Sequence, residues 1–328
     1  MSKDLTQGRP FRVLLQFSLP VIAGNLFQLF YTLADTVIVG RTLGAQALAA
    51  VGATTIVIYF VLCFVQGFTG GFGICLAQRF GARDENGQRS SAAVSWLLSA
   101  GFAVIITVLF CALAHPILRW MRTPEDIYTE AYSYMFIVLL GTGATVFYNM
   151  ISNMLRSLGD SRTPLFFLIF SALLNVVLDL VFILPLGMGV AGAAWATVLA
   201  QLLSGLMCLF VLCRMPVLRF KADEKRMDKS IIFGLLKLGL PVGIMNSITA
   251  IGGMILQGIV NGLGSTIVAA YTAGSKIFGL AEQPCNIIGL SLGTYVGQNL
   301  GAGRVDRIKV GVRRSILMVL IVDFFIGG

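Results

Sequence analysis

Residues 17–40 read FSLPVIAGNLFQLFYTLADTVIVG, and two properties of this stretch decide the fold. The first is length without charge. Nothing between Arg12 and Asp35 is ionisable apart from Tyr31, and a helix of this stretch, at about 1.5 Å per residue, outspans the ~30 Å of a bilayer's hydrocarbon. The second is that the stretch belongs to a repeat. FSLPVIAGN (17–25) returns as LGLPVGIMN (238–246), LGAQALAA (43–50) as LGSTIVAA (263–270), and GICLAQRFGA (73–82) as GTYVGQNLGA (293–302), at an offset of 220 or 221 residues. A fixed offset of this kind marks a duplication.

The rest of the chain has the same character. It is 57% hydrophobic and 12% charged, with a mean hydropathy of +0.87, where a soluble domain carries about a quarter charged residues. The chain is therefore expected to be an integral membrane protein, and without period-two alternation its spans are helices and not barrel strands. Spans are expected at 14–39, 47–76, 92–115, 131–155, 164–185, 190–213, 239–260, 266–297 and from 311 to the end: eight complete helices and one cut short. The first run is too long for a signal-peptide core and should remain as an anchor. Pro20 and Pro241 occupy equivalent places, each after a short amphipathic stretch, and are expected to mark where an interfacial helix turns into the membrane.

Basic residues set the orientation. Nineteen Lys and Arg fall in one set of connections and three (Arg41, Arg119, Arg122) in the other, which places the N-terminus in the cytoplasm. The net charge of +9 follows from this topology, and no nucleic-acid partner is needed to explain it. Cys63, Cys75, Cys111, Cys208, Cys213 and Cys285 form no CxxC pair and read as packing residues, neither a disulfide framework nor a metal site.

The first copy of the repeat holds six spans, an even number, so both copies should enter the membrane in the same direction, related by an axis along its normal. The expected fold class is an all-α membrane protein of two six-helix bundles: residues 1–220 as an N-lobe, and 221–328 as the start of a C-lobe with helices seven, eight and part of nine. By the offset, a complete second copy would make twelve helices, and the chain reads as truncated at its C-terminus.

Polar residues inside the spans fall in stripes. Asn25, Gln28, Thr32 and Asp35 share one face of the first helix, with Tyr31 one turn before the acid. Thr145, Asn149 and Asn153 stripe the fourth helix, Ser171, Asn175 and Asp179 the fifth, and Thr197, Gln201 and Ser204 the sixth. Lipid offers such groups no hydrogen bonds, so the stripes should face a shared interior. An ionisable group at membrane depth costs about 2.5–3.5 kcal/mol even on a gentle scale, and such groups usually mark an ion path. No Lys or Arg shares the depth of Asp35 and Asp179, so a proton or a bound cation, H⁺ or Na⁺, is expected to neutralise them. Asn25 recurs as Asn246 but Asp35 aligns with Leu256, which concentrates the acid chemistry in the first copy. Gln28, Thr32, Gln201, Gln257 and Glu282 are candidates to line a substrate cavity; the alternative for Glu282 is a place near the end of a helix broken at Pro284. Asp323 is too near the chain end to read.

GLSLG (289–293) matches GxSxG, but the single histidine, His115, belongs to the outer end of the third helix, out of reach of Ser291. Gly289, Gly293, Gly297 and Gly301 are better read as a ladder for close helix packing. With no HExxH, P-loop or GxGxxG context, the chain reads as a transporter and not an enzyme.

The LPV runs opening helices one and seven, DTVIVGRTLG at 35–44, the QRFGA and QNLGA ends of helices two and eight, and RSLGDSRTP at 156–164 resemble the multidrug and toxic compound extrusion (MATE) family. The resemblance implies a twelve-helix secondary exporter that moves organic cations or other amphiphiles outward against inflow of H⁺ or Na⁺. It implies no cofactor beside that ion, a monomer, and a place in the cell membrane. Within that family the chain is similar to the DNA-damage-inducible branch, whose N-lobe ion site matches Asp35, Asn175 and Asp179 here, with Thr197, Asn149, Asn153 and Tyr31 in the same network. It departs from the sodium-coupled branch, which has an acid where Thr249 stands. A lipid-linked oligosaccharide flippase would call for more cavity cations than Lys276, and a non-transporting scaffold would show no gradient-dependent flux.

Overall fold

The computed structural model describes residues 4–214, 229–261 and 265–327. Among them the chain is helical, without a strand: α1 (Pro10–Thr42), α2 (Ala45–Gly81), α3 (Glu85–Trp120), α4 (Glu125–Leu140), α5 (Thr142–Ser157), α6 (Arg162–Ile183), α7 (Gly189–Cys213), α8 (Lys229–Asn261), α9 (Ser265–Gly301) and α10 (Val305–Gly327). Six of these, α1–α3 and α6–α8, are long and apolar enough to cross a bilayer, and α4 with α5 makes a seventh when the bent pair is taken as one span. The expected spans at 266–297 and from 311 fall on α9 and α10, which are helical but fall short of that test among the described residues. Apolar side chains point outward as they would toward lipid: Val104, Ile105 and Val108 of α3 are each 63–64% exposed.

Two expectations are corrected. Pro20 and Pro241 lie inside α1 and α8, so no break separates an interfacial helix from a span. A proline inside a helix forfeits one hydrogen bond, and the flanking turns carry these helices through. Pro284 likewise lies inside α9, not at a break. The bend occurs instead in the expected fourth span, where α4 and α5 meet at 42° about Gly141. A Cβ on Gly141 would run into Val198 of α7, so the glycine both permits the bend and lets α7 close on it.

Glycines bring the two copies of the repeat into backbone contact. A Cβ on Gly67 would stand 2.6 Å from the Val242 carbonyl of α8, and one on Gly71 would overlap Gly239. Farther along α2, Gly81 abuts the Gln298 carbonyl of α9, while Gly301 of α9 abuts the Gln78 carbonyl of α2. In the expected glycine ladder only Gly297 and Gly301 pack, against α2; Gly289 and Gly293 have nothing within 4 Å of an added Cβ.

Side chains tie the same end together. Gln298, fully buried, accepts from the Leu5 N–H (2.9 Å) and donates to the Ser157 carbonyl (2.8 Å). Asn299 donates to the Leu5 carbonyl (3.3 Å) and accepts from Arg307 (3.0 Å), which also reaches the Gly8 carbonyl (2.8 Å). Asp160 starts α6 by accepting from the Arg162 and Thr163 N–H groups (3.1 and 3.0 Å) and the Thr163 hydroxyl (2.7 Å).

These contacts separate two glycines that sequence alone makes alike. Gly→Ala in a helix interior normally favours the helix by about 1 kcal/mol, but overpacking costs roughly 1–3 kcal/mol. Gly81→Ala should lower the unfolding temperature in detergent, whereas Gly289→Ala should leave it level or raise it. Equal shifts for the two would show that the α2–α9 contact carries no weight.

Candidate functional site

The site is built where α1 lies on α6. Gly24 makes the approach possible, since a Cβ there would already touch Leu168 at 3.3 Å. Higher on the same faces, Asp35 of α1 and Asp179 of α6 bring their carboxyls within hydrogen-bonding reach of each other. Asp179 is fully buried and Asn175, one turn before it, is 2% exposed. Asn175 donates to the Thr197 hydroxyl of α7 at 3.4 Å, and Thr197 in turn donates to the Ala193 carbonyl at 3.2 Å.

What the cluster lacks matters most. Asp35 Oδ1, both carboxyl oxygens of Asp179 and the Asn175 Oδ1 are buried with no donor. The two carboxyls face each other, yet as carboxylates both only accept. Four acceptor oxygens without a donor are costly in a low-dielectric interior. A proton placed on one carboxyl turns that pair into donor and acceptor, and a small cation there would meet acceptor oxygens of the facing carboxyls. The arrangement can bind and release positive charge.

A second polar tier lies below. Tyr31 is within hydrogen-bonding reach of Gln201, Gln28 and Thr32, and Thr145 of α5 donates to Gln201 Oε1 at 2.5 Å. Asn149 donates to the Thr145 carbonyl at 2.9 Å. Four of the expected stripes, on α1, α5, α6 and α7, thus converge. Asn153 points elsewhere, donating to Thr69 of α2 at 3.1 Å. Thr32 is exposed, its hydroxyl donating to the Gln28 carbonyl at 2.9 Å.

Glu282 is exposed on α9, within electrostatic range of Tyr59 and Cys285, and does not join the acid pair. Asp323 accepts from the Cys285 thiol at 2.9 Å. The side chains of Gln257 and Lys276 lie outside the described residues. Thr249 donates to the Met245 carbonyl of its own helix at 3.1 Å.

One neighbour of the site was missed in the sequence. Tyr134 of α4 is 8% exposed and within electrostatic range of Asp35, Tyr31 and Asp179. It stands three turns before Thr145, so extending the Thr145 stripe backward would have found it. Tyr134 also joins an apolar cluster with Val39, Ile183 and Ala193, each one turn from Asp35, Asp179 or Thr197. That cluster roofs the acids on one side.

The hydrolase pattern is empty. Ser291 is 1% exposed, with its hydroxyl unpartnered, and His115 is bonded to the Tyr128 hydroxyl (3.0 Å) and stacked on Tyr132 (3.8 Å).

A family model described as MatE matches residues 20–181 and 241–327. The chain belongs to the MatE family. MatE relatives of known sequence include "Probable multidrug resistance protein YpnP" of Bacillus subtilis, 32% identical over 93% of this chain and 68% of that one. "Probable multidrug resistance protein YoeA" of the same organism is 29% identical over 97% and 70%. Among solved MatE structures, "Outward-facing conformation of a multidrug resistance MATE family transporter of the MOP superfamily" superimposes with a TM-score of 0.92 at 26% identity, over 98% of this chain and 72% of that one. MatE proteins are transporters and not enzymes, and this one is a multi-pass, all-helical member.

The donor-free cluster should behave differently from a satisfied acid of the same fold. Asp160→Ala removes the acceptor that starts α6 and should cost about 1 kcal/mol or more. Asp179→Asn replaces an unpaired acid by an amide that can donate, and should leave the unfolding temperature unchanged or higher. A loss at Asp179→Asn as large as at Asp160→Ala would mean the acid pair is structural.

Proposed function

We propose that the chain works as a multidrug efflux transporter in which one cation, H⁺ or Na⁺, exchanges for an amphiphilic or cationic substrate through the Asp35–Asp179 site. The single observation that carries this reading is the donor-free cluster of Asp35, Asp179 and Asn175. Relatives known as multidrug resistance and multidrug export proteins support the efflux reading. Thr197, Tyr31 and Tyr134 complete the site's wall, while Asn149 and Asn153 brace the helices beside it. Gln28, Thr32 and Gln201 are the cavity residues the second tier supports.

The proposed cycle needs two bodies that move against each other. Residues 1–220 and 221–328 are those bodies, an N-lobe and a C-lobe related by an axis along the membrane normal. The reciprocal contact of Gly81 with Gln298 and Gly301 with Gln78 supports this, since a two-fold axis maps each onto the other. In this reading the chain works as a monomer in the cell membrane, and its N-terminus lies in the cytoplasm, which the distribution of basic residues supports. With the cytoplasmic ends of α2, α8 and α9 in backbone contact, the cavity opens to the outside. Cation binding at Asp35 and Asp179 removes the repulsion between the acids and lets α1 and α6 close, which loosens their hold on substrate.

Proteoliposomes containing the chain, loaded with a fluorescent cation, test this under an imposed pH or Na⁺ gradient. Efflux should follow one of the two gradients, and Asp35→Asn or Asp179→Asn should each reduce it at least tenfold, about 1.4 kcal/mol in the transport barrier. Gradient-driven flux that survives both substitutions would sink the assignment. Wild-type chain without flux under either gradient would favour a non-transporting role.

A further inference from the structure

Basic side chains on the face opposite the roofed acids do more than satisfy a topology rule. A cleft of about 1000 Å³ lies between the start of α1 and the first turns of α10, lined by Arg9, Arg12, Val13 and Gln16 on one side and by Val310 and Arg314 on the other. Arg9 and Arg12 fall on one helical face with Val13 and Gln16, and Arg314 follows Val310 by one turn. Topology asks only that such charges be on this side of the membrane. It does not ask residues some three hundred positions apart to converge on one cavity.

Their charge is unspent. All three arginines are exposed, and none has a carboxylate within ion-pair distance among the described residues. One acid, Asp4, shares the cleft. Burial alone would raise its carboxyl, but the Thr6 hydroxyl and N–H (2.5 and 2.8 Å) and the Gln7 amide (2.9 Å) outweigh that and hold it below the ordinary carboxylate value. Asp4 is thus turned onto its own loop, and Arg9, Arg12 and Arg314 line the same cleft. No side chain caps the first turn of α1, where Arg9 is the N-cap and Pro10 the first helical residue, so its free N–H groups add to the positive field. Exposed Phe11 and buried Val13 supply an apolar wall beside the charges.

We propose that this cleft binds the phosphodiester headgroup of an anionic phospholipid from the cytoplasmic leaflet, with its glycerol and upper acyl chains against Phe11 and Val310. Guanidinium groups match phosphate oxygens in paired hydrogen bonds, and basic pockets between helices at a cytoplasmic surface are suited to such headgroups. The lipid would join α1 to α10 across the Gly8–Arg307 bond, on the end of the protein held closed by Gln298 and Asn299. Only the membrane-surface placement of this end is taken from the proposed orientation; lipid binding requires no flux.

Native mass spectrometry of the detergent-purified chain, titrated with phosphatidylglycerol or with phosphatidylcholine of the same acyl chains, tests the site. One phosphatidylglycerol should be retained at least tenfold better than phosphatidylcholine. Arg9→Gln/Arg12→Gln/Arg314→Gln should lose that preference, and the triple Lys variant should keep most of it. Arg41→Gln/Arg119→Gln/Arg122→Gln, on the other face, should match wild type and shows that charge number alone is not responsible. Unchanged preference in the triple Gln variant overturns the proposal. So does displacement of the lipid by millimolar inorganic phosphate, which would assign the cleft to a soluble anion. Because the readout is binding, its failure leaves the efflux test untouched, and failed efflux leaves the lipid result standing.

Discussion

Backbone contact between α2 and its neighbours α8 and α9 is the constraint on which the rest of the molecule depends. In lipid there is no hydrophobic force to press two apolar helices together, so close packing at small residues has to do it. Gly67 and Gly71 let α8 approach until its carbonyls would meet a methyl group, and Gly81 and Gly301 do the same for α9. Those contacts fix the tilt of α2, and α2 is the helix that α4, α5, α8 and α9 all pack on. The polar ties of Gln298 and Asn299 extend that contact to other parts of the chain, reaching the backbone of Leu5 before α1 and of Ser157 at the end of α5.

Against that tightly satisfied end stands the donor-free cluster of Asp35, Asp179 and Asn175. Buried polar groups in folded proteins are almost all partnered, and exceptions call for a reason. Here one acid starts a helix with three bonds and another pair has none, within the same fold. The contrast divides the chain's acids in two. Asp160 helps start a helix, while the carboxyl oxygens of Asp35 and Asp179 are left buried without a donor. In the proposed cycle that deficit is what an arriving positive charge relieves.

Much of this was legible in the sequence. Apolar length and the spacing of Gln28, Tyr31 and Asp35, of Asn175 and Asp179, and of Thr197 and Gln201 were enough to put four stripes on one interior, because a helix in lipid has nowhere else to turn them. The ladder picked out Gly297 and Gly301 but did not separate them from Gly289 and Gly293, and it passed over Gly67 and Gly71: Gly289 and Gly297 look alike in sequence, and only packing against Ala77 tells them apart. Pro20 misled because a proline's missing hydrogen bond says nothing about whether neighbouring turns hold. Gly141 was silent because its role lies in Val198, a residue far along the chain. Tyr134 escaped because the two positions between it and Thr145 on that face, Val138 and Gly141, carry no polar side chain. Asn153 fitted the period of its helix, yet at that level α2 and not α6 is the neighbour, and it bonds to Thr69.

The repeat makes the uneven division of labour informative. Packing is mirrored between the copies, Gly81 with Gln298 and Gly301 with Gln78, but chemistry is not: Leu256 stands where Asp35 does, and Asn246 bonds to the Cys63 carbonyl of α2 while Asn25 bonds within α1. In the proposed cycle a cation therefore acts on one copy only, and the other must feel it through shared backbone contacts. One such route runs from Asp35 along α1 to the buried Phe17 and Val13, which pack with Ile288 and Tyr295 of α9. Tyr295 donates to the Arg307 carbonyl, and Arg307 holds Gly8 at the start of that same α1. In the proposed cycle a shift of α1 on charge binding would be resisted at its own foot by the second copy, which would make the N-terminal end of α1 the place where a local electrostatic change becomes a movement of one half against the other.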